Sequence, residues 1–200
     1  YSSAASDVYK RQGLKCIDLT NAQITDIPDN AFSSSQLRFV DLPTSLKTIG
    51  KEAFYSRPIT GKLTLPATLE SIGVNAFRAT YITEVEIPDN VTTIDNHAFA
   101  ENQKLLTLKL GTGLTSLNTG CFYNCQALKT VSGGANVKTI YDECFRSCAA
   151  LETASDLQPL KVKGFAFEGA KKLQSFNFAD ITDLGDYTFR NCQALKSVEL

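Results

Sequence analysis

The sequence predicts a right-handed β-solenoid, a stack of similar coils around one hydrophobic core. Two observations lead to this fold class: phenylalanines recur at steps of 22 or 23 residues, and alternating apolar pairs recur at the same period. A unit of this length cannot bury its own apolar face, whereas stacked units pack equivalent residues into one continuous core. The eight phenylalanines of the ladder are Phe32, Phe54, Phe77, Phe99, Phe122, Phe145, Phe167 and Phe189.

Three further positions repeat together with the ladder. An aliphatic residue stands five residues before each phenylalanine, a small residue stands immediately before it, and Leu or Ile follows five or six residues later. Around Phe77 these residues are Ile72, Ala76 and Ile82. We call each set of equivalent positions in successive repeats a column. Because several columns recur with the same period, we predict about eight repeats of 22–23 residues.

Each repeat begins with a predicted short strand. Its apolar residues alternate, as Val40 and Leu42 do, and this period is typical of a half-buried strand. Pro43, Pro66 and Pro88 follow three of these strands, and proline ends a ladder because it has no amide hydrogen. Successive strands joined by crossovers in one direction form a parallel sheet. We therefore predict a parallel sheet of about nine short strands on one face.

Short turns are predicted for the rest of each repeat. Apolar residues three apart, such as Leu46 and Ile49, lead into a segment around each phenylalanine that is predicted as one helical or 3₁₀ turn. The pattern weakens in the seventh repeat, where Ala154 and Asp156 replace the apolar pair, and again at Gly133. We expect a short or frayed strand at both places.

The first twelve residues are excluded from the predicted fold. The peptide from Ser2 to Gln12 resembles the translation of a sequencing adapter used in library preparation. The predicted array therefore occupies residues 13–200, with a first strand at Leu14 and a ninth at Val198–Leu200. Neither end carries a polar capping sequence, so we expect an array that is truncated at both ends and that frays or associates there.

Charge and composition narrow the classes of function. The chain of 200 residues has 20 Lys and Arg against 21 Asp and Glu, so no basic excess favours nucleic acid as a partner. No apolar run approaches the roughly 20 residues of a membrane-spanning helix. The single histidine, His97, excludes metal sites that need several histidines. It lies in a turn column that holds many residue types, and we interpret it as a solvated turn residue.

Six cysteines form the one cluster that suggests chemistry. Two CxxxC pairs, Cys121/Cys125 and Cys144/Cys148, have the number of thiols of a four-cysteine zinc site. Their offset of 23 residues equals the repeat step, so we interpret them as small buried residues in two columns, one of which also contains Cys192. A disulfide between neighbouring coils, such as 125–148, and a thiol-based metal or redox site are the alternatives.

The outward side of the predicted sheet is the candidate protein-contact surface. Its first half is mildly acidic and carries one exposed aromatic residue, Phe39, whereas its second half is rich in hydroxyls. Solenoids usually bind through such a face, and aromatic anchors dominate binding energies, so Phe39 is the best single anchor. A merely solvated sheet face is the alternative. The candidate contact residues are Asp18, Phe39, Asp41, Lys62, Thr64, Glu84, Glu86, Thr107, Lys109 and Thr130.

The repeat resembles the BspA-type leucine-rich repeat. The unit IPDNVTTIDNHAFAENQKLLTL (Ile87–Leu108) carries the resemblance, and LPTSLKTIGKEAF (Leu42–Phe54) and LPATLESIGVNAF (Leu65–Phe77) match its pattern more closely. The resemblance implies a leucine-rich-repeat solenoid without catalytic, cofactor-binding or metal-binding residues. It also implies a protein-interaction module of a cell-surface or secreted adhesin-like protein, with a host extracellular or surface protein as partner. The alternative is a scaffold or spacer array that carries a catalytic or anchoring domain outside this segment.

Overall fold

The computed structural model describes residues 15–196, which form a solenoid of parallel strands around one hydrophobic core. Two parallel sheets run along the stack, one made of longer strands and one made of two-residue strands. The predicted fold class is therefore confirmed. The adapter-like segment, the expected strand at Leu14 and the expected ninth strand at Val198–Leu200 lie outside the described residues.

The first sheet contains the strands that the alternating pairs predict. Ile17 lies opposite Val40, and Val85 lies opposite Leu108, so the equivalent apolar residues of neighbouring coils meet in parallel register. A hydrogen bond from the Thr60 amide to Arg38 O of the preceding coil, at 3.1 Å, links β1 and β3 to the strands that follow. Numbered in chain order, the strands are β1 (Cys16–Asp18), β3 (Phe39–Asp41), β5 (Thr60–Leu63), β7 (Tyr81–Glu86), β9 (Thr107–Leu110) and β11 (Thr130–Gly133).

The last coils continue this sheet only through isolated bridges. Thr130 of β11 pairs with Thr153, and Thr153 pairs with Ser175; neither Thr153 nor Ser175 belongs to a longer strand. This confirms the short strand expected in the seventh repeat. The same expectation is wrong at Gly133, because β11 extends through that residue and its amide donates a hydrogen bond to the Asp156 carboxylate at 2.9 Å.

The second sheet was not predicted from the sequence. Its strands contain only one outward and one inward residue, such as Thr48 and Ile49, so no alternation is visible in the sequence. All are parallel, and they form two hydrogen-bonded groups of four. They are β2 (Asp26–Ile27), β4 (Thr48–Ile49), β6 (Ser71–Ile72), β8 (Thr93–Ile94), β10 (Ser116–Leu117), β12 (Thr139–Ile140), β13 (Lys161–Val162) and β14 (Asp183–Leu184).

The segments around the ladder phenylalanines form turns, and residues 15–196 contain no helix. The predicted helical or 3₁₀ turn is therefore wrong. Amides in these segments donate to the next coil: Glu52 to Val74 O at 2.9 Å, Phe54 to Ala76 O at 2.8 Å and Ser56 to Arg78 O at 2.8 Å. Only alternate amides bond along the chain, as Tyr55 does to Glu52 O at 3.2 Å, so the consecutive bonds that a helix needs are interrupted.

Left-handed backbone also prevents helix formation in these segments. The residue two positions before each ladder phenylalanine has a φ between 55° and 59°, and most residues two positions after it are left-handed as well. This conformation favours Gly and Asn. The sequence interpretation that the first of these columns accepts any residue is therefore incomplete. The column consists of Asn30, Glu52, Asn75, His97, Gly120, Glu143, Phe165 and Tyr187.

Gly120→Ala is expected to destabilise the fold by about 1–2 kcal/mol through its left-handed φ alone. A Cβ at this position would also lie 2.6 Å from His97 Nε2, which adds a steric cost. Urea denaturation measures the total. The matched variant His97→Ala/Gly120→Ala, compared with His97→Ala, should lose only the backbone contribution. If Gly120→Ala were as stable as the unaltered protein, the left-handed column would have no energetic role.

The ladder phenylalanines stack into one row through the core. Neighbouring ring centroids lie 4.9–5.6 Å apart, and their planes are tilted by only 6–19°. The rings from Phe32 to Phe167 are fully buried, and Phe189 is partly buried. This stack confirms the ladder as the spine of the core, and it holds the outward residues of each coil at one strand spacing from the next.

Candidate interaction surface

The outward side of the first sheet carries side chains in aligned columns. In one column Lys62 lies opposite Glu84 and Glu84 lies opposite Thr107. In a second column Glu86 lies opposite Lys109. The parallel register therefore brings side chains that are 22 or 23 residues apart in sequence next to one another. The first column continues through Thr130, Thr153 and Ser175, and the second continues through Ser132.

The structure brings the ten candidate residues together on this sheet. Nine lie within β1, β3, β5, β7, β9 and β11, and Thr64 directly follows β5. Glu84 and Thr130 are half-buried and the other eight are exposed. They therefore form one continuous surface, whose use as a contact surface remains a prediction.

Two ion pairs neutralise the centre of this surface. Lys62 Nζ lies 2.7 Å from Glu84 Oε1, and Lys109 Nζ lies 2.5 Å from Glu86 Oε1. The bond to Glu84 raises the pKa of Lys62, and the bond from Lys109 lowers the pKa of Glu86. All four side chains are about half exposed, so the pairs contribute little to stability. Their effect is to fix the charges in an alternating pattern.

Two carboxylates lie at the N-terminal end of the same surface. Asp18 and Asp41 are opposite each other in register. The hydroxyl of Thr20 donates to Asp18 Oδ1 at 2.6 Å, and the Thr20 amide donates to the same oxygen at 2.9 Å. These bonds stabilise the charged form of Asp18 and lower its pKa.

Two exposed aromatic residues also lie on the first sheet. Phe39 and Tyr81 are each 54% exposed. Between their coils, the register shifts at Gly61, whose φ is 82° and whose missing Cβ position has open space around it. Sequence reasoning missed Tyr81 because β7 begins four residues before the apolar pair that Val85 starts. The sequence did show that an aromatic residue directly precedes Ile82, which occupies one of the apolar positions that recur in every repeat.

Open depressions follow the carboxyl ends of the strands. Three of them have volumes of about 260, 340 and 400 Å³. The turns after β3, β5, β7 and β9 line them, with Pro66, Pro88 and Gly111 among the residues involved. Because they lie beside the outward columns, they extend the same surface and offer places for protruding side chains of a partner.

The four cysteines of the two CxxxC motifs lie in the core, at the repeat positions that the sequence predicts. All four are free and fully buried, and Cys121 Sγ lies 3.4 Å from Cys144 Sγ. Cys125 Sγ donates to Phe99 O at 3.3 Å, and Cys148 Sγ donates to the equivalent carbonyl of the next coil at the same distance. Within residues 15–196, no group of three or more His, Cys, Asp and Glu side chains is arranged to hold a metal ion.

The column three residues after each phenylalanine has a role that the sequence interpretation missed. Ser35 Oγ donates to Phe32 O at 2.8 Å, and Asn102 Nδ2 donates to Phe77 O and Phe99 O, also at 2.8 Å. The thiols of this column do the same. In five of the eight coils this position supplies a side-chain donor for a phenylalanine carbonyl, whereas Ala170 at the equivalent position supplies none. The mixture of Ser, Asn and Cys at one position was the indication available in the sequence.

Burial controls the reactivity of these thiols. It raises the pKa of Cys125 and of Cys144 well above the ordinary value, and it raises the pKa of Cys148 to about 12. The thiolate is the reactive form, so these groups react slowly while the protein is folded.

Thiol labelling of the native protein is therefore expected to modify Cys16 first and to leave Cys121, Cys125, Cys144 and Cys148 unmodified. Cys16 is exposed and serves as the internal control. Peptide mass spectrometry after iodoacetamide treatment identifies the labelled positions, and treatment in urea should label all of them. Rapid native labelling of the four buried thiols would contradict their assignment to the core.

His97 is a packing residue of the turn segment. It is half-buried, its ring lies edge-on to Tyr123 at 6.5 Å, and it covers Gly120. Burial lowers the pKa of His97, so the ring is mainly neutral at pH 7. The predicted position in a turn is confirmed, but the expectation of a solvated side chain is wrong.

Within residues 15–196, no helix has the length and apolar character that crossing a membrane requires.

The family model for the BspA type leucine rich repeat region matches residues 25–152 and 70–196, with six copies of the repeat. None of the curated proteins compared with the sequence matches it.

Several solved structures share the fold. A leucine-rich repeat protein from Bacteroides ovatus is 18% identical with a TM-score of 0.57, over 92% of this chain and 69% of that protein. A leucine rich cell surface protein from Faecalibacterium prausnitzii is 23% identical with a TM-score of 0.57; the match covers 92% of this chain and 59% of that protein. A leucine rich repeat protein from T. pallidum is 23% identical with a TM-score of 0.66; the match covers 86% of this chain and 72% of that protein.

These structures agree with the solenoid described above, and the chain spans between 59% and 72% of their lengths. The family model covers the repeats from the second strand onward. This chain belongs to the BspA-type leucine-rich repeat family.

Proposed function

We propose that this chain is a non-enzymatic protein-interaction module that binds its partner through the outward side of the first sheet. The observation that carries the proposal is the alignment of the outward side chains. Consecutive coils place ion pairs, hydroxyls and two exposed aromatic rings on one surface, without the chain having to order a loop. A preformed surface binds with a smaller entropic cost than a mobile one.

The chemistry of this surface suits a protein partner. Phe39 and Tyr81 are the largest exposed side chains on it, and aromatic residues are frequent anchors at interfaces. The ion pairs and hydroxyls around them provide the polar surroundings that such anchors usually have. Adjacent depressions can receive protruding side chains of a partner.

We further propose that the module belongs to a cell-surface or secreted adhesin-like protein. The similar structure from Faecalibacterium prausnitzii is described as a cell surface protein, and this supports the location. The chain corresponds to 59% of that protein, so further domains of the whole protein are also a matter of proposal. The partner class that fits this location is a host extracellular or surface protein.

Binding to a panel of purified extracellular matrix proteins tests the proposal. The full chain is immobilised, and biolayer interferometry measures the affinity for each matrix protein. The variant Phe39→Ser/Tyr81→Ser is expected to weaken the affinity for the bound protein about tenfold or more, because anchor residues dominate binding energies. Circular dichroism confirms that each variant is folded.

The matched control variant is Tyr55→Ser/Tyr141→Ser, which changes two exposed tyrosines outside the first sheet. It is expected to bind as the unaltered chain does. If this control lost binding and the Phe39/Tyr81 variant did not, the contact surface would lie elsewhere. If no matrix protein bound, the adhesin-like role would be wrong and the spacer array would be favoured.

A further inference from the structure

Among residues 15–196, two carboxylates without an ion-pair partner lie at the N-terminal end of the first sheet. Asp18 and Asp41 lie opposite each other on β1 and β3, and both are exposed. Like charges in direct register destabilise a sheet. Neither carboxylate has a salt bridge within residues 15–196, although Glu84 and Glu86 on the same surface each pair with a lysine. Within the described residues, ion pairs therefore neutralise the centre of this surface but not this end.

A depression with mixed walls is lined by Asp41 and by Thr20, the hydrogen-bond donor of Asp18. Its volume is about 260 Å³, and its walls contain one carboxylate, three hydroxyls and two apolar side chains. Apolar walls suit the aliphatic part of a lysine or arginine side chain, and the oxygens suit its charged end. The lining residues are Thr20, Asp41, Leu42, Thr44, Thr64 and Pro66.

We propose that this depression receives a lysine or arginine side chain of the protein partner, with the charged group held by Asp18 and Asp41. The inference rests on the proposed function and adds the chemistry of the partner, which is a basic segment. Attraction to the two carboxylates would offset the repulsion between them.

Neighbouring groups support this assignment. Two hydrogen bonds from Thr20 hold the Asp18 carboxylate in place and lower its pKa. Phe39 lies on the same strand as Asp41 and is 54% exposed, so its ring is available to the apolar part of the basic segment or to a second cation. The site therefore combines charge, hydroxyl acceptors and an aromatic surface within two neighbouring coils.

An NMR titration of the full chain tests the proposal. The probe is the peptide Gly-Gly-Lys-Gly-Gly with both ends blocked, and the control peptide contains Gln in place of Lys. The lysine peptide at millimolar concentration is expected to shift the amide signals of Thr20, Leu42 and Thr64, and the Gln peptide is not. Raising the salt concentration should weaken the binding of the lysine peptide, because salt screens the attraction between exposed charges.

Matched variants make the test specific. Asp41→Asn is expected to lower the affinity for the lysine peptide about fivefold or more. Asp180→Asn removes an exposed carboxylate in a distant coil and should leave this affinity unchanged. Equal shifts with both peptides, no shifts with the lysine peptide, or unchanged binding in Asp41→Asn would each overturn the proposal. Each variant's amide spectrum shows that it is folded.

The two proposals fail in different ways. A matrix protein that loses affinity in Phe39→Ser/Tyr81→Ser but binds Asp41→Asn normally would overturn the basic-segment proposal and leave the proposed function intact. A matrix protein whose affinity depends on neither set of variants would overturn the proposed function itself.

Discussion

Phe99→Ala is expected to lower the free energy of unfolding by about 3–5 kcal/mol. The Phe99 ring is fully buried between Phe77, at 5.3 Å, and Phe122, at 5.6 Å. The loss combines the transfer energy of the ring with a cavity. The coils cannot close that cavity because hydrogen bonds between them, such as the one from the Phe99 amide to Cys121 O at 2.8 Å, fix their spacing.

Urea denaturation measures this loss, and two variants provide its controls. Phe39→Ala removes an exposed ring and is expected to change stability by less than about 0.5 kcal/mol. Phe99→Leu keeps most of the buried volume and should lose less than Phe99→Ala. Similar losses for Phe39→Ala and Phe99→Ala would show that the phenylalanine stack is not the main source of stability.

Asn102→Ala is expected to lower the free energy of unfolding by about 2–4 kcal/mol, because it leaves buried polar groups without partners. The Asn102 side chain is fully buried and donates to Phe77 O and Phe99 O at 2.8 Å. Its Oδ1 also accepts a hydrogen bond from the Thr80 hydroxyl. Phe99 O keeps the bond from the Cys125 thiol, so Phe77 O and Thr80 account for most of the expected loss.

Thermal and urea denaturation compare this variant with Asn102→Cys. Cysteine is the residue at the same repeat position in three later coils, where its thiol donates to the phenylalanine carbonyl of the preceding coil. Asn102→Cys should therefore recover part of the stability that Asn102→Ala loses. Equal losses in the two variants would contradict the role of this column as a source of donors.

The core could be predicted from the sequence because each coil repeats the same buried residues. Phe77 and Ile72 are fully buried, and their equivalents from Phe32 to Phe167 and from Ile27 to Val162 are buried as well; only in the last coil are Leu184 exposed and Phe189 partly buried. A column of identical apolar residues has one physical explanation, which is stacking along a solenoid. The longer strands followed from the same reasoning, since alternating residues such as Val40 and Leu42 need a sheet with one buried side.

The second sheet and the turns could not be predicted because their hydrogen bonds join different coils. A two-residue strand such as Thr48–Ile49 shows no period, and only its neighbours in space make it a strand. The turn segments contain residues with good helix propensity, such as Glu52 and Ala53, which favour a helical turn. Left-handed φ values, such as 55° at Glu52, appear only because the amides bond to the next coil.

The candidate contact surface was predictable in its columns but not in its details. The period placed Lys62 and Glu84 in one column, and the structure shows that they form an ion pair. The period could not place Tyr81, since that residue lies at the start of an unusually long strand after a register shift. Irregularities of this kind are local, and a repeat pattern averages over them.

Hydroxyl-radical footprinting of the chain with and without its bound matrix protein tests the interaction surface most directly. It compares the oxidation of four exposed aromatic side chains, two on the first sheet and two elsewhere. We expect binding to protect Phe39 and Tyr81 and to leave the oxidation of Tyr55 and Tyr141 unchanged. Protection of Tyr55 or Tyr141, with Phe39 and Tyr81 oxidised as in the free chain, would contradict the assignment of the first sheet as the contact surface.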